Sequence, residues 1–154
     1  MSSTAPTIVL VEDDPTPAKN LHKKLSDEFS RGQVKRIRTE REFRSHLDEF
    51  SGKPPDVIVL DVMLPWTDTE NLVPAPKDVY EEGVYRAGFR CIKLLADKIT
   101  TRIPCIVYTV LARSALDKEF NALPDGLRVE YLQKDPDRTR LFNLIRKLTR
   151  HSNR

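Results

Sequence analysis

Two short segments of the chain, TIVLVE (Thr7 to Glu12) and VIVLD (Val57 to Asp61), carry almost no polar atoms before the acid that ends them. A strand that shows water on one face alternates apolar and polar residues; one without alternation needs cover on both faces. Such strands sit in parallel sheets layered between helices, because parallel neighbours must be joined by crossover connections.

The rest of the chain supplies those layers. Pro15 opens a helix whose apolar residues Ala18, Leu21, Leu25 and Phe29 share one face, with Asp14 before it as cap. A weaker strand spans Val34 to Arg38. Thr39 and Glu42 form a capping box for a helix carrying Phe43, Leu47 and Phe50. SGKPP breaks the chain before the strand at Val57. Phe89, Ile92, Leu95 and Ile99 mark a third helix, and CIVYT (Cys105 to Thr109) a fourth strand. Ser114 and Asp117 resemble a capping box for a short helix bearing Leu116, Phe120 and Leu123. Val129 to Gln133 is a fifth strand, and Asp135 and Pro136 open a final helix with Leu141, Ile145 and Leu148 facing inward.

Strands alternating with helices give the α/β class: a doubly wound, five-stranded parallel sheet with five helices, flavodoxin-like in its winding. At 154 residues one compact domain is expected over 7–150, with 1–6 and 151–154 as tails. Cys91 and Cys105 are too few for a disulfide framework, MSSTAPT lacks the features of a signal peptide, and no apolar run suits a membrane span. A cytoplasmic protein is the expectation. A net charge of +3 demands no nucleic-acid partner. His22, His46 and His151 show no metal spacing and are read as surface residues.

Ligands of such sheets bind beyond the carboxyl ends of the strands. There the chain places Glu12 and Asp13, Asp61, Thr109 and Lys134. Gathering that many acids is costly without a counter-charge. Hard carboxylate oxygens suit Mg²⁺, which takes a couple of carboxylates, waters and a phosphate oxygen. A lysine and a hydroxyl beside them can hold further phosphoryl oxygens. The constellation reads as a phosphoryl-transfer site.

VEDD at Val11 to Asp14, VIVLDVMLP at Val57 to Pro65, Thr109 in IVYTV and Lys134 in YLQKDP together resemble the receiver domain of two-component response regulators over nearly the whole chain. The resemblance implies that Asp61 accepts a phosphoryl group from a phosphohistidine of a histidine kinase or phosphotransfer protein. It also implies Mg²⁺ held by Asp13, by Asp61, by the Met63 carbonyl and, through water, by Glu12. Thr109 and Lys134 would contact the phosphoryl oxygens, and Thr109 with Tyr131 would form the switch pair; packing in a strand is the other reading of Tyr131. Such a chain is a phosphoacceptor rather than an enzyme, working as a monomer or weak dimer through an output protein; only HSNR follows the last helix.

Three departures from the receiver pattern stand out. Val110 replaces the small residue that usually follows the threonine. Asp135 separates Lys134 from Pro136, so a cis bond there loses its usual justification. The loop from Trp66 to Gly88 is enlarged, acidic and carries Trp66, Tyr80 and Tyr85. It is a tolerated surface insertion, a lid, or a partner surface; its acids would repel a phosphodonor, so packing on the flank with Asp61 left reachable is expected. A haloacid-dehalogenase-type phosphatase is disfavoured because Met63 stands where a second acid is needed. A flavodoxin-like cofactor site is disfavoured because EDDP repels phosphate. The remaining alternative is a phosphorylation-independent pseudo-receiver acting as a protein scaffold.

Overall fold

The computed structural model describes residues 5–13, 15–29, 33–68 and 73–152, without the side chains of 15–19 and 151–152. Asp14, Ala18 and His151 therefore fall, wholly or in their side chains, outside what is described. Five strands, β1 (Thr7–Val11), β2 (Gln33–Ile37), β3 (Val57–Leu60), β4 (Cys105–Thr109) and β5 (Val129–Gln133), form one all-parallel sheet in the order β2-β1-β3-β4-β5. The chain thus winds outward from β1 to β2, returns to β3 on the other side, and continues away. The reversal lies between β1 and β3.

The double cover asked for by the apolar strands is present. Val9 and Val11 of β1, with Ile58 and Leu60 of β3, face a core closed by α2 (Glu40–Ser45), α3 (Leu47–Gly52) and α5 (Ala87–Lys98). Ile8, Leu10, Val57 and Val59 face the opposite core, closed by Leu21 and Leu25 of α1 (Pro15–Glu28) and by Leu141, Ile145 and Leu148 of α7 (Thr139–Ser152). Successive residues of a strand point to opposite faces, so one unbroken apolar run fills both cores. Among the described residues no helix is long and apolar enough to cross a membrane.

Among the described residues seven α-helices replace the expected five. The helix expected across Thr39 to Phe50 breaks at His46 (φ −97°, ψ 0°), whose ring Nδ1 lies 2.8 Å from the Glu42 carbonyl and whose ring stacks on Phe50. His46 is thus half-buried, as is His22, whose Nε2 lies 3.0 Å from the Val34 carbonyl; neither is the free surface residue expected. The Thr39 cap holds: its Oγ1 accepts from the Glu42 N–H at 3.1 Å, while Glu42 reaches back to the Arg38 N–H. The Ser114 capping box is absent. Arg113–Leu116 is a 3₁₀ turn, and α6 (Asp117–Asn121) starts without a side-chain cap. Asp135 does not cap α7 either. Its Oδ1 accepts from the Asp137 N–H, Asp137 Oδ1 accepts from the Thr139 N–H instead, and α7 starts three residues later than the expected Pro136. Among the described residues no peptide bond is cis.

The enlarged loop is not structureless. It contains α4 (Lys77–Glu82) and a 3₁₀ turn at Val84–Arg86; residues 69–72 are outside the described set. It leans on the flank of the domain. Arg44 lies over the Trp66 ring at 5.2 Å, Asp78 accepts from Arg44 at 2.8 Å, and Val79 is buried. Tyr80 and Tyr85 are 84% and 70% exposed. The loop was expected to pack through Trp66 or a tyrosine, and it is Trp66 that makes the contact.

Candidate functional site

The site follows from the register. Val11 of β1 is opposite Leu60 of β3, so the next residues, Glu12 and Asp61, emerge side by side at the point where the winding reverses. The Asp61 N–H continues the ladder by donating to the Val11 carbonyl at 3.0 Å. On the far side, Thr109 of β4 pairs with Gln133 of β5, and the Lys134 N–H donates to the Thr109 carbonyl at 2.7 Å. Lys134 therefore begins two strands away from Asp61. Its long side chain crosses β4, and its Nζ donates to Asp61 Oδ2 at 2.7 Å and to Glu12 Oε2 at 2.8 Å.

Asp61 is 8% exposed. Its other oxygen, Oδ1, accepts from the Val62 N–H at 2.7 Å, with the Met63 N–H at 3.4 Å. Glu12 is buried beneath the same rim. Burial pushes its carboxyl up from 4.5 to about 7; the nearby Asp61 and Asp13 charges push the same way, and Lys134 opposes them. The Lys134 ammonium sits above its ordinary value: burial lowers it, and the hydrogen bonds and charges of Asp61 and Glu12 raise it further than burial takes away. Two buried acids thus share a single base, and the rim keeps a negative surplus.

Asp13 lies exposed at the edge rather than inside this cluster. Among the described residues no three His, Cys, Asp or Glu side chains converge as a ready-made metal cage. The expected set of Glu12, Asp13 and Asp61 is therefore arranged as two carboxylates around an ammonium with a third at the rim. This donor set still fits Mg²⁺, which binds through one or two carboxylates and keeps several waters. Hard carboxylate oxygens are the chemistry such an ion seeks.

Thr109 is fully buried, and its Oγ1 accepts from the Leu111 N–H at 3.3 Å rather than touching either carboxylate. Tyr131 is half-buried, with its ring edge on Phe120, and its hydroxyl donates to the Leu111 carbonyl at 2.5 Å. Both expected switch residues therefore hold the same loop residue, one at its N–H and the other at its carbonyl. Val110 points out of the core at 59% exposure.

Three residues at the back of the site were not foreseen. Gly88, which opens α5, donates its N–H to the Val62 carbonyl at 2.9 Å; a Cβ there would lie 2.3 Å from the Asp61 carbonyl. Only glycine lets α5 approach the Asp61–Val62 segment this closely. Glu40 and Arg90 are buried together, with Arg90 Nη2 donating to Glu40 Oε1 at 2.7 Å and Nε to Oε2 at 3.0 Å. They join α2 to α5 behind the segment that leaves Asp61, whose Pro65 and Trp66 carbonyls accept from the Glu40 and Arg41 N–H groups at 3.0 Å each. Glu40 lies three residues before Phe43 on one helix face, which is the signal that could have revealed its burial.

No protein-family model matches the sequence, and comparison with curated proteins gives no match. Solved structures do match. The signal receiver domain of a signal transduction histidine kinase from Syntrophus aciditrophicus is 25% identical, with 97% of this chain and 94% of that one covered at a TM-score of 0.66. A two-component response regulator from Clostridium difficile is 17% identical, with coverages of 97% and 99% and a TM-score of 0.66. The receiver domain of a sensor histidine kinase from Pseudomonas aeruginosa, described with a magnesium ion coordinated in its active-site cleft, is 20% identical, with coverages of 94% and 98% and a TM-score of 0.62. The fold is flavodoxin-like, and it is the fold of a response-regulator receiver domain.

Proposed function

We propose that this chain is a phosphoacceptor of two-component signalling, taking a phosphoryl group onto Asp61 from a phosphohistidine of a kinase or phosphotransfer protein. The observation that carries the reading is the placement of Asp61: at the winding reversal, beside Glu12, with Lys134 brought from two strands away to 2.7 Å. An Asp61 oxygen attacks phosphorus as the phosphorus–nitrogen bond breaks. The electron pair stays on the imidazole nitrogen, which takes up a proton, and an acyl phosphate is left on Asp61. Lys134 neutralises charge on the moving group, and the Val62 N–H holds the carboxylate in place.

Asp13, Asp61 and the Met63 carbonyl would hold Mg²⁺, with Glu12 acting through water. The bound ion supplies positive charge against the phosphoryl oxygens. Thr109 and Tyr131 meet at Leu111, so a Thr109 drawn toward the phosphoryl group releases the Leu111 N–H while Tyr131 still holds its carbonyl. That loop then has two arrangements, and phosphorylation biases them. The exposed Tyr80 and Tyr85 of the enlarged loop suit contact with an output protein.

One observation favours a phosphorylation-independent scaffold: both Asp61 oxygens already hold hydrogen bonds in a carboxylate that is nearly buried. Incubation with a small-molecule phosphodonor and Mg²⁺, read by intact mass, decides between them. A single labile adduct lost on chelation is expected; no adduct means the scaffold.

A further inference from the structure

The proposed chemistry occupies one end of the sheet. At the other end, where β4 and β5 begin, a cleft of about 330 Å³ opens between α5 and the turns at 99–103 and 124–127. Its floor is mostly apolar: Leu95, Ile99 and Ile103 each show a little surface, Ile92 and Cys105 are almost wholly buried with the Cys105 thiol pushed up to about 12 by burial, and Thr100 and Thr101 add hydroxyls to the lining. Two charged residues, Arg102 and Asp125, stand exposed among the residues that line it. Among the described residues neither makes an ion pair or a side-chain hydrogen bond, although both border one small opening.

The place of Arg102 is shaped by its neighbour. Gly126 has φ 85°, a conformation that L side chains rarely adopt, and a Cβ there would lie 2.9–3.1 Å from the guanidinium atoms. Glycine at this turn both permits the backbone and leaves room for the guanidinium.

A cation and an anion over an apolar floor have one simple complement. We propose that the cleft binds a free α-amino acid with a branched apolar side chain, of the leucine class. Its carboxylate meets Arg102, whose guanidinium fork suits a carboxylate bidentately. Its ammonium meets Asp125, and its side chain lies on Leu95, Ile99 and Ile103. The volume is at the lower end for ligand pockets, which suits a single amino acid and leaves no room for a nucleotide. Apolar acids without an amine use only one of the two charges, as do apolar amines without a carboxylate.

The test titrates the whole chain with L-leucine and follows the isoleucine methyl signals by NMR. Isovalerate, isoamylamine and glycine are run beside it, each lacking one of the three contacts. L-Leucine should give saturable shifts at Ile99 and Ile103 at roughly millimolar concentration. Each partial ligand should bind about tenfold or more weaker, the equivalent of about 1.4 kcal/mol per lost contact. Arg102→Ala should remove the advantage of leucine over isoamylamine, and Asp125→Ala its advantage over isovalerate. Both residues are exposed, so unchanged signals elsewhere verify the fold of the variants. Absence of saturable shifts, glycine binding as well as leucine, or an Arg102→Ala chain that binds leucine like the wild type each overturns the proposal. None of these outcomes bears on phosphorylation of Asp61.

Discussion

Two ionic clusters lie along the chain that leaves Asp61, and they differ in how many bases their acids share. At the rim, Glu12 and Asp61 share Lys134, and Asp13 adds a third acid outside. Behind it, Glu40 is held by Arg90 bidentately and by Arg44 at 2.7 Å, while Asp78 and Glu82 complete the two arginines from the enlarged loop. The second cluster sets two arginines among three acids, with the buried Arg44 Nε left without a hydrogen bond, and it ties α2, α4 and α5 together. The first has a surplus of acid and a Glu12 carboxyl pushed up to about 7. Charges of the same kinds are thus arranged in two ways: the more nearly matched set, two bases among three acids, ties helices together, while at the rim two buried acids share one lysine.

That contrast can be broken by substitution. Asp61→Asn should abolish acyl-phosphate labelling altogether while leaving the fold intact, because the amide still fills the space; labelling that persists in the variant, read by intact mass, refutes the assignment. Glu40→Ala should do the reverse. It strands Arg90 without its buried partner, which costs about 3–5 kcal/mol, so the urea midpoint should fall sharply. A loss near zero would show that Arg90 turns to Glu82 and that the matched cluster is dispensable.

The surplus of the rim can be measured directly. Mg²⁺ at about ten times its dissociation constant should stabilise the wild type by about 1.4 kcal/mol, and Asp13→Ala should lose most of that gain. Indifference of the wild type to millimolar Mg²⁺ favours the scaffold. The smallest effect is on pH dependence in chelator-treated buffer. Because Glu12 is raised from 4.5 to about 7, the folded chain holds a proton there that the unfolded chain has released. Its contribution to stability is therefore present at low pH and falls as pH rises from about 4.5 to about 7. Glu12→Gln should flatten that part of the profile, as read by thermal unfolding at several pH values; an unchanged slope shows that Glu12 does not carry it.

The rim was legible in the sequence because each of its residues ends a strand whose apolar run announces itself. Asp61 and Glu12 could be placed together once β1 and β3 were recognised as neighbours. The helix starts were less legible. Asp135 and Asp137 are both acids near Pro136, and the turn between them, not the residue type, decides which one caps α7. The break at His46 depends on a ring reaching a carbonyl four residues back, which no periodicity records.

By itself the sequence determined the class of fold, the end of the sheet where acidic and basic side chains gather, and the acids and lysine found there. Apolar strands and strand-end charges are local patterns, and burial on two faces leaves them few solutions. Only the tertiary structure decided that Lys134 spans β4 to reach both acids, that Asp13 stays outside their cluster, and that Thr109 and Tyr131 meet at Leu111. It also decided the pairing of Glu40 with Arg90 and the need for glycine at 88. These join residues as much as 122 positions apart in the chain, and a charge or a missing Cβ has no partner until packing brings one within a few ångströms.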